Sequence, residues 1–348
     1  MNLSEKVDIE SFFLPRTNLP IVDVRSPGEF EHAHIPGAYN IPLFDNTERA
    51  IVGTIYKNSG KEDAVLRGLE IVGPKMVNLV KKAKKLTPDR EIFIHCWRGG
   101  MRSESMAWLF ETNGIKCSII EGGYKAYRRY IKKEMAKPAS FLILGGMTGS
   151  GKTRIINALK ELGEQVIDLE QLAHHRGSAF GGIGQETQPS TEQFENNLYE
   201  IWRDLGLNKT IWLEDESKSV GQVKIPDEIF LRMRESPVIQ LVVEKQMRVQ
   251  ALISEYAELN AEELKSAILR IQKKLGGLHT KVSLDAIDNK DFAIPVEYAL
   301  NYYDKAYMKG LGTRQEETLY PLELEGMEPL TNARKILTFA LSNKLLTD

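Results

Sequence analysis

Short apolar runs alternate with longer amphipathic segments in the first part of the chain. Residues 19–24 (LPIVDV), 91–95 (EIFIH) and 116–120 (KCSII) are rich in β-branched side chains, which is typical of buried strands. Residues 64–86 and 103–112 lie between these runs and carry apolar side chains at helical spacing. Strands and helices that alternate at this rhythm predict a parallel sheet with helices on its faces.

A second alternating series begins near residue 140. Its predicted elements are strands at 140–144 (SFLIL), 165–169, 210–213 (TIWL) and 238–243 (VIQLVV) and a helix at 152–162. After Glu244 the pattern is mostly helical and is interrupted at Leu275-Gly276-Gly277. The segment Lys137-Pro138-Ala139 separates the two series, because proline ends regular structure. We therefore predict two α/β domains, residues 1–136 and 140–348, joined by a linker at 137–139, and a helical C-terminal part in the second.

The composition narrows the classes of function. The 348 residues carry a net charge of −2 and 42% of them are apolar, which describes a globular protein. A nucleic acid would then have to bind to a local basic patch, since the field of the whole molecule does not attract phosphate. No apolar run approaches the roughly eighteen residues of a membrane span, and the N-terminal residues lack the features of a secretion signal. We therefore expect a cytoplasmic protein without membrane contact, in which Cys96 and Cys117 are reduced.

The segment from His95 to Ser103 (HCWRGGMRS) connects a predicted strand to a predicted helix. A loop at a helix N-terminus directs backbone N–H groups and the positive end of the helix dipole at one point, which favours an anion there. The expected anion loop consists of Trp97, Arg98, Gly99, Gly100 and Met101. The same field would stabilise a thiolate at Cys96, and Arg102 can close the ring around the anion. We therefore predict Cys96 and Arg102 as catalytic residues, and Cys117 as a core residue.

The spacing of this loop leaves two chemistries open. A cysteine, five residues and then Arg102-Ser103 is also the pattern of cysteine-dependent phosphatases, whose loop binds a phosphoryl group. The pattern alone is therefore compatible with a phosphatase and with a carrier of a persulfide.

The second domain contains a full G-x4-G-K-[ST] motif between a predicted strand and a predicted helix. The expected phosphate-binding residues are Gly146, Gly149, Gly151, Lys152 and Thr153. The backbone N–H groups of such a loop form a nest for a phosphate or diphosphate, the lysine adds a point charge, and the threonine can hold Mg²⁺. The motif does not distinguish ATP from another diphosphate, so a role for ATP is not established.

Two further segments of the second domain carry candidate side chains. The sequence WLEDES at 212–217 resembles a Walker B strand end, which makes Asp215 the candidate metal ligand, although no residue set is assigned as a metal site. Histidine and arginine beside a phosphate nest suit a second anionic or nucleobase ligand. The candidate substrate loop consists of His175, Arg176, Gly177 and Ser178.

A basic stretch interleaved with tyrosines follows residue 123. Such a stretch can contact phosphates and stack on unpaired bases. The candidate RNA contacts are Lys125, Arg128, Arg129, Lys132 and Lys133. A second basic cluster at 270–274 precedes Leu275-Gly276-Gly277.

The first domain resembles the rhodanese family. Asp23-Val24-Arg25, Glu29-Phe30 and residues 34–38 (HIPGA) look like the front signature of rhodanese domains, and residues 121–127 (EGGYKAY) look like their closing turn and helix. The resemblance implies a rhodanese-like fold and makes Cys96 the residue that carries a chalcogen. Dual-specificity phosphatases of one branch share that fold.

The whole succession of motifs resembles the tRNA 2-selenouridine synthase family. The motifs are HCWRGGMRS, EGGYKAY, GGMTGSGKT, HHRGSAFG, QPS, WLEDES and KKLGGLHT. The resemblance implies a rhodanese-like domain fused to a P-loop NTPase-like α/β domain. It further implies that selenium from selenophosphate replaces the sulfur of wobble 2-thiouridine in tRNA, through an S-geranyl intermediate made from geranyl diphosphate. Selenotransferase and tRNA geranyltransferase activities are both implied.

The same resemblance suggests roles for the two loops. Cys96 would handle selenium while Arg102 and the loop amides hold the phosphate of selenophosphate. The glycine loop would bind the diphosphate of the prenyl donor, with Mg²⁺ assisting the departure of pyrophosphate. The expected partners are tRNA and an enzyme that supplies selenophosphate, and the oligomeric state is not predicted.

Three other functions stay open on the sequence. The first is a rhodanese-fold cysteine phosphatase fused to a nucleotide-kinase-like module. The second is a thiosulfate sulfurtransferase on the same architecture. The third is a non-catalytic RNA-binding module with a degenerate rhodanese domain.

Overall fold

The computed structural model describes residues 4–13, 19–257 and 260–347, so the outermost residues of both predicted domains lie outside it. The chain divides into two compact units, Met1–Met135 and Ala136–Asp348. Residues 136–140, which include the predicted linker at 137–139, lie in neither a helix nor a strand.

The first unit is a parallel sheet covered by helices. Its strands are β1 (Glu5–Val7), β2 (Ile21–Asp23), β3 (Tyr39–Asn40), β4 (Glu91–His95) and β5 (Lys116–Ile120), in the spatial order β1-β5-β4-β2-β3. Its helices are α1 (Ile9–Phe13), α2 (Pro27–His32), α3 (Asn46–Asn58), α4 (Lys61–Val72), α5 (Met76–Leu86), α6 (Met101–Glu111) and α7 (Gly123–Met135). Strand β4 is central, so the residue that follows it emerges at the middle of the carboxyl edge of the sheet.

Local sequence explains where the elements of this unit begin. Helix α2 starts with a capping box, in which Ser26 accepts from the backbone of Glu29 and Glu29 accepts from the backbone of Ser26. Side chains of β4 and α6, among them Ile92, Ile94 and Phe110, are fully buried in one core. The apolar runs of the sequence therefore mark the centre of the sheet correctly.

The single helix predicted at 64–86 is wrong. The structure has two helices, α4 and α5, with a 3-10 turn at Gly73–Lys75 between them. Pro74 explains the break, because it supplies no backbone N–H for a continuous helix. Helix α3 and the short outer strands β1 and β3 were not predicted.

The second unit is also built on a parallel sheet. Its strands are β6 (Phe141–Gly146), β7 (Gln165–Ile167), β8 (Ile211–Glu214), β9 (Ser219–Val220), β10 (Val223–Lys224), β11 (Val238–Val243) and β12 (Leu319–Leu324). The main sheet has the order β12-β11-β6-β8-β7, and β9 and β10 form a separate antiparallel pair. Its helices are α8 (Lys152–Glu161), α9 (Leu169–Ala173), α10 (Thr191–Trp202), α11 (Asp227–Glu235), α12 (Lys245–Ala257), α13 (Ala261–Arg270), α14 (Gln272–Leu275), α15 (Gly277–Asp288), α16 (Ala293–Leu311) and α17 (Pro329–Ser342). The expected α/β fold class with a helical C-terminal part is confirmed.

The region after Glu244 is not helical throughout. Strand β12 pairs with β11 at the edge of the sheet, and a 3-10 turn at Glu316–Thr318 precedes it. An edge strand tolerates Pro321 and half-exposed side chains, so the segment lacks the apolar run that marks a central strand. Helices α12–α16, here called the helical insert, lie between β11 and β12 and share one core with Phe180 and Ile183.

Within the described ranges, no helix has both the length and the apolar content needed to cross a bilayer.

Candidate functional sites

The thiol of Cys96 lies directly after β4 and before the first turn of α6. Its Sγ atom is 3.4 Å from the Oγ of Ser103 and 3.9 Å from the carbonyl oxygen of Gly100. The Ser103 hydroxyl donates to that same carbonyl at 2.8 Å. Cys96 is 4% exposed, so the loop encloses the sulfur.

The loop around Cys96 packs tightly against the start of α7. The N–H of Tyr124 donates to the carbonyl of Cys96 at 2.9 Å, and the N–H of Lys125 donates to the carbonyl of Trp97 at 3.0 Å. Gly99 has a φ of +67°, and a Cβ at this position would lie 2.6 Å from a backbone oxygen of β5. A Cβ at Gly123 would lie 2.4 Å from the Cys96 carbonyl. Glycine is therefore required at both positions, which explains why the two sequence motifs have Gly99 and Gly123 there.

The surroundings of Cys96 favour its thiolate. Burial disfavours the charged form, but the hydrogen bond with Ser103, the backbone N–H of Arg98 and the charge of Arg102 outweigh it and lower the pKa of Cys96. Burial raises the pKa of Cys117 to about 12, and this residue lies in β5 within the core. The pKa values of the two thiols therefore shift in opposite directions.

The guanidinium of Arg102 lies in a salt bridge. Its Nη1 donates to Oε2 of Glu29 at 2.9 Å, and Arg49 also approaches this carboxylate, at 3.6 Å. Burial disfavours the charged carboxylate, but the charge and hydrogen bond of Arg102 outweigh it and lower the pKa of Glu29. The described residues accept one hydrogen bond from Arg102, so its other N–H groups are available to an anion. Glu29 was identified in the sequence only as part of a fold signature, and its contact with Arg102 was not predicted.

A buried polar network stabilises the elements that carry the Cys96 loop. Asp23 and Arg25 form an ion pair at 2.6 Å, and both are at most 1% exposed. The guanidinium of Arg25 lies 3.9 Å from the ring centroid of Tyr124, at the start of α7. His95 lies 3.8 Å from Asp23, and burial lowers the pKa of this histidine. The network joins β2, β4 and α7, so it holds the elements that position the thiol.

The glycine motif of the second unit forms a loop between β6 and α8. Gly149 and Gly151 both have a φ of +80°, and α8 begins at Lys152. The Nζ of Lys152 donates to the carbonyl of Gly146 at 2.8 Å, so the lysine lies across the loop. Ser150 is 1% exposed, and its Oγ has no hydrogen-bond partner among the described residues. This geometry suits a nest for phosphate.

Two helices of the helical insert brace this loop. The hydroxyl of Tyr307 on α16 accepts from the N–H of Gly146 at 2.8 Å. The Nη1 of Arg248 on α12 donates to the carbonyl of Thr148 at 3.0 Å, and both Nη atoms of Arg248 donate to Asp304. The two contacts with the loop connect residues at least 100 positions apart, so no local pattern in the sequence predicts them.

Three carboxylates converge beside the glycine loop. Oxygens of Glu170, Glu214 and Glu216 lie within 4.8 Å of one another. Strand β8 lies next to β6, so Glu214 at the end of β8 emerges at the same sheet edge as the glycine loop. The hydroxyl of Thr153 donates to Glu170 at 3.0 Å, which ties the loop to the cluster.

The candidate metal ligand Asp215 faces away from this cluster. Its Oδ1 lies 2.7 Å from Arg314 and 3.6 Å from Arg234, so its charge is balanced inside the protein. Neighbouring residues of an extended strand point to opposite faces, which separates Asp215 from Glu214. The carboxylates that the structure brings together are therefore Glu170, Glu214 and Glu216, whereas the predicted candidate Asp215 is paired with Arg314.

The electrostatics of the three glutamates fit a divalent cation. Burial, together with the charge of Glu170, raises the pKa of Glu214 well above its ordinary value and that of Glu216 to about 8. Oε1 of Glu214 is buried and lacks a hydrogen-bond partner in the described part of the chain. Carboxylate oxygens are the ligands that Mg²⁺ prefers, and a threonine hydroxyl stands beside them.

The candidate substrate loop lies against the carboxylate cluster. A Cβ at Gly177, where φ is +67°, would lie 2.7 Å from Oε1 of Glu170. The N–H of His175 donates to the Glu170 carbonyl at 3.0 Å. The hydroxyl of Tyr303 accepts from the N–H of Ala179 at 2.7 Å, so α16 holds the other end of the loop. The structure therefore brings His175, Arg176, Gly177 and Ser178 to the same side of the second unit as Lys152.

The RNA-contact candidates lie on α7 in the first unit. Tyr124 and Tyr127 are fully buried, so these two tyrosines belong to the core. Lys133 approaches Glu10 at 3.9 Å. The cationic candidates, Lys125, Arg128, Arg129, Lys132 and Lys133, lie on the same helix as these tyrosines.

Comparisons with known proteins cover nearly the whole chain. Residues 139–327 match the family model described as "tRNA 2-selenouridine synthase AAA domain", and residues 13–130 match the "Rhodanese-like domain" model. A tRNA 2-selenouridine synthase of Bdellovibrio bacteriovorus is 35% identical over 87% of this chain and 92% of that protein. One of Psychromonas ingrahamii is 34% identical over 77% of this chain and 72% of that protein. One of Shewanella denitrificans is 32% identical over 86% of this chain and 90% of that protein.

Proposed function

We propose, since the chain belongs to the tRNA 2-selenouridine synthase family, that it is a tRNA-modifying enzyme that replaces the sulfur of a 2-thiouridine with selenium. The observation that supports this most is the enclosed thiol of Cys96, whose pKa is lowered inside a loop built for an anion. Selenophosphate combines a phosphate with a selenium atom, so one loop can hold the anion and present the selenium to the sulfur.

The first unit would act on selenophosphate. The backbone N–H groups of the loop and the free N–H groups of Arg102 would hold its phosphate, as an oxyanion is held in other enzymes. The thiolate of Cys96 would handle the selenium within this pocket. An enzyme that makes selenophosphate would supply this co-substrate.

The second unit would act on a prenyl diphosphate, which we propose is geranyl diphosphate. The glycine loop and Lys152 would bind the diphosphate, and Glu170, Glu214 and Glu216 would hold Mg²⁺ beside Thr153. When bound, this ion would neutralise charge on the departing pyrophosphate. Lys152 is already directed into the loop through its bond to Gly146.

The two reactions would follow in a fixed order on the wobble uridine. In the first, a bond forms between the sulfur and the geranyl carbon while the bond from that carbon to diphosphate breaks. In the second, the selenium of selenophosphate attacks C2 of the base and the bond from C2 to sulfur breaks, so that geranyl thiol leaves. Water then cleaves the selenium–phosphorus bond and phosphate is released. Alkylation converts sulfur into a better leaving group, which explains why the prenyl step precedes the selenium step.

Mass spectrometry of tRNA nucleosides tests this proposal. A deletion strain would be complemented with the wild type, Cys96→Ala, Lys152→Ala or Lys160→Ala, the last being an exposed lysine of α8 that serves as the control. We expect 2-selenouridine to disappear with Cys96→Ala and geranylated thiouridine to fall with Lys152→Ala. Retention of 2-selenouridine with Cys96→Ala would exclude the proposed role of the thiol.

Two assays on the purified protein separate the rival functions. Hydrolysis of p-nitrophenyl phosphate that depends on Cys96 and needs no tRNA would indicate a phosphatase. Rapid formation of thiocyanate from thiosulfate and cyanide, unaffected by removal of residues 139–348, would indicate a plain sulfurtransferase.

A further inference from the structure

Four cations on α13, α14 and α15 of the helical insert define a surface that we call the basic face. It consists of Arg270, Lys273, Lys274 and Lys281. All four residues are exposed, and within the described ranges none of them forms an ion pair. The neighbouring Lys265, in contrast, is paired with Glu262 and Asp288. The charge of the basic face is therefore available to a ligand from outside.

Two residues of the basic face, Lys273 and Lys281, line a concavity. A cavity of about 490 Å³ is lined by Gln272, Lys273, Gly277, Thr280, Lys281, Leu284 and Asp285. Two of the seven lining residues are lysines and one is an acid, so the net charge of the lining is positive. Helix α15 begins at this cavity without a side-chain cap, which leaves its first N–H groups available as well.

Aromatic and apolar groups lie next to these cations. The ring of His279 stacks on Tyr298 with centroids 4.2 Å apart and an interplanar angle of 29°. The backbone carbonyl of Leu275 lies 3.2 Å from Nδ1 of His279 and fixes the ring orientation. Leu278 is 74% exposed. Cations beside a flat, partly exposed stacking surface suit a polynucleotide better than an acidic peptide, because nucleobases offer faces for stacking.

The basic face continues toward the phosphate-binding loop. Phe180 and Ile183, which follow the candidate substrate loop, share one buried cluster with Ile268 and Ile271, the residues that flank Arg270 in the chain. His175 belongs to the candidate substrate loop, which packs on Glu170, and Glu170 accepts from Thr153 of the glycine motif. A polyanion on the basic face would therefore extend toward the phosphate site of the same unit.

We propose that the basic face is a docking surface for the sugar–phosphate backbone of the tRNA substrate. This inference rests on the proposed function only for the identity of the RNA. The whole chain carries a net charge of −2, so a local cationic surface is needed to attract a polyanion. The helical insert supplies such a surface on the unit that carries the phosphate nest.

Fluorescence anisotropy with a labelled tRNA transcript tests the inference at several salt concentrations. The test variant is Lys273→Glu/Lys281→Glu in the full-length protein. The control is Lys84→Glu/Lys85→Glu on the exposed face of α5, which makes the same change in net charge in the first unit. We expect the test variant to bind at least about 10-fold more weakly, with a salt slope reduced by about two, since each lysine–phosphate contact contributes about one. The control should stay within about threefold of the wild type.

A second variant guards against misfolding. Lys273→Gln/Lys281→Gln removes the charges without reversing them, and it should reduce the salt slope by the same amount with a smaller loss of affinity. Wild-type affinity in the Lys273→Glu/Lys281→Glu variant, or an equal loss in the α5 control, would overturn the inference. The binding assay requires no chemistry, so its outcome is independent of whether the wild type makes 2-selenouridine.

Discussion

The substitution Ser103→Ala removes the hydroxyl closest to the sulfur of Cys96. This hydroxyl lies 3.4 Å from Sγ and donates to the carbonyl of Gly100 at 2.8 Å. The Ser103 hydroxyl carries one hydrogen. When this hydrogen is donated to the thiolate of Cys96, it is no longer donated to the carbonyl of Gly100. A hydrogen bond to a charged group is worth about 1.5–3 kcal/mol and a neutral one about 0.5–1.5 kcal/mol, so the exchange favours the thiolate by about 1 kcal/mol.

The expected result follows from this difference. Without the hydroxyl the pKa of Cys96 rises, and the ratio of thiolate to thiol falls about fivefold, since about 1.4 kcal/mol corresponds to a factor of ten. The rate of alkylation by iodoacetamide, measured by mass spectrometry of the Cys96 peptide, should fall by this factor at a pH below the pKa. The two rates should converge at high pH, where both thiols are ionised.

Ser105→Ala provides the matched control. Ser105 lies on the same helix, and its hydroxyl donates to the carbonyl of Met101 and not to the sulfur. This variant should show the wild-type pH profile. An unchanged profile for Ser103→Ala, or an equal shift for Ser105→Ala, would refute the electrostatic account of the thiol.

Three further predictions concern the charges and the backbone of the two sites. Glu29→Gln removes a negative charge near the loop, so the pKa of Cys96 should fall further in the alkylation assay, while Glu31→Gln on the exposed side of α2 should not change it. Gly99→Ala should destabilise the protein by about 1–3 kcal/mol in urea unfolding, whereas Gly100→Ala, with no atom near its Cβ, should be almost neutral. The pKa of about 8 for Glu216 means that the folded state binds more protons than the unfolded state between about pH 4.5 and 8, so stability should fall as the pH rises through this range. Addition of Mg²⁺ or Mn²⁺ at pH 8.5 should raise the melting temperature back to its value at lower pH. A melting temperature that rises with pH and does not change when the cation is added would contradict this prediction.

Both candidate anion-binding loops could be located in the sequence because each depends on consecutive residues. Strand β4, the Cys96 loop and the start of α6 follow one another within a short segment, and the glycine motif between β6 and α8 does likewise. An apolar strand, glycines and a helix start are all local signals. The predicted ends of the central strands are correct or differ by a few residues, since buried runs have clear limits.

Other features depend on contacts between distant parts of the chain. The hydrogen bond between Tyr307 and Gly146 connects residues 161 positions apart, and no local sequence pattern predicts it. The sequence does not separate Asp215 from Glu214 and Glu216, because three adjacent acids look alike in it, whereas the direction of each side chain depends on how β8 ends. In the folded protein, side chains alternate in direction along the strand and arginines neutralise Asp215. These two features separate Asp215 from the carboxylate cluster.

The proposed transfer of selenium can be measured directly with purified components. The full-length protein would be incubated with tRNA that contains 2-thiouridine, geranyl diphosphate, Mg²⁺ and selenophosphate, and the nucleosides would be analysed by mass spectrometry. The account predicts 2-selenouridine with the wild type and none with Cys96→Ala. Equal amounts of 2-selenouridine from both proteins, or none from the wild type, would contradict it.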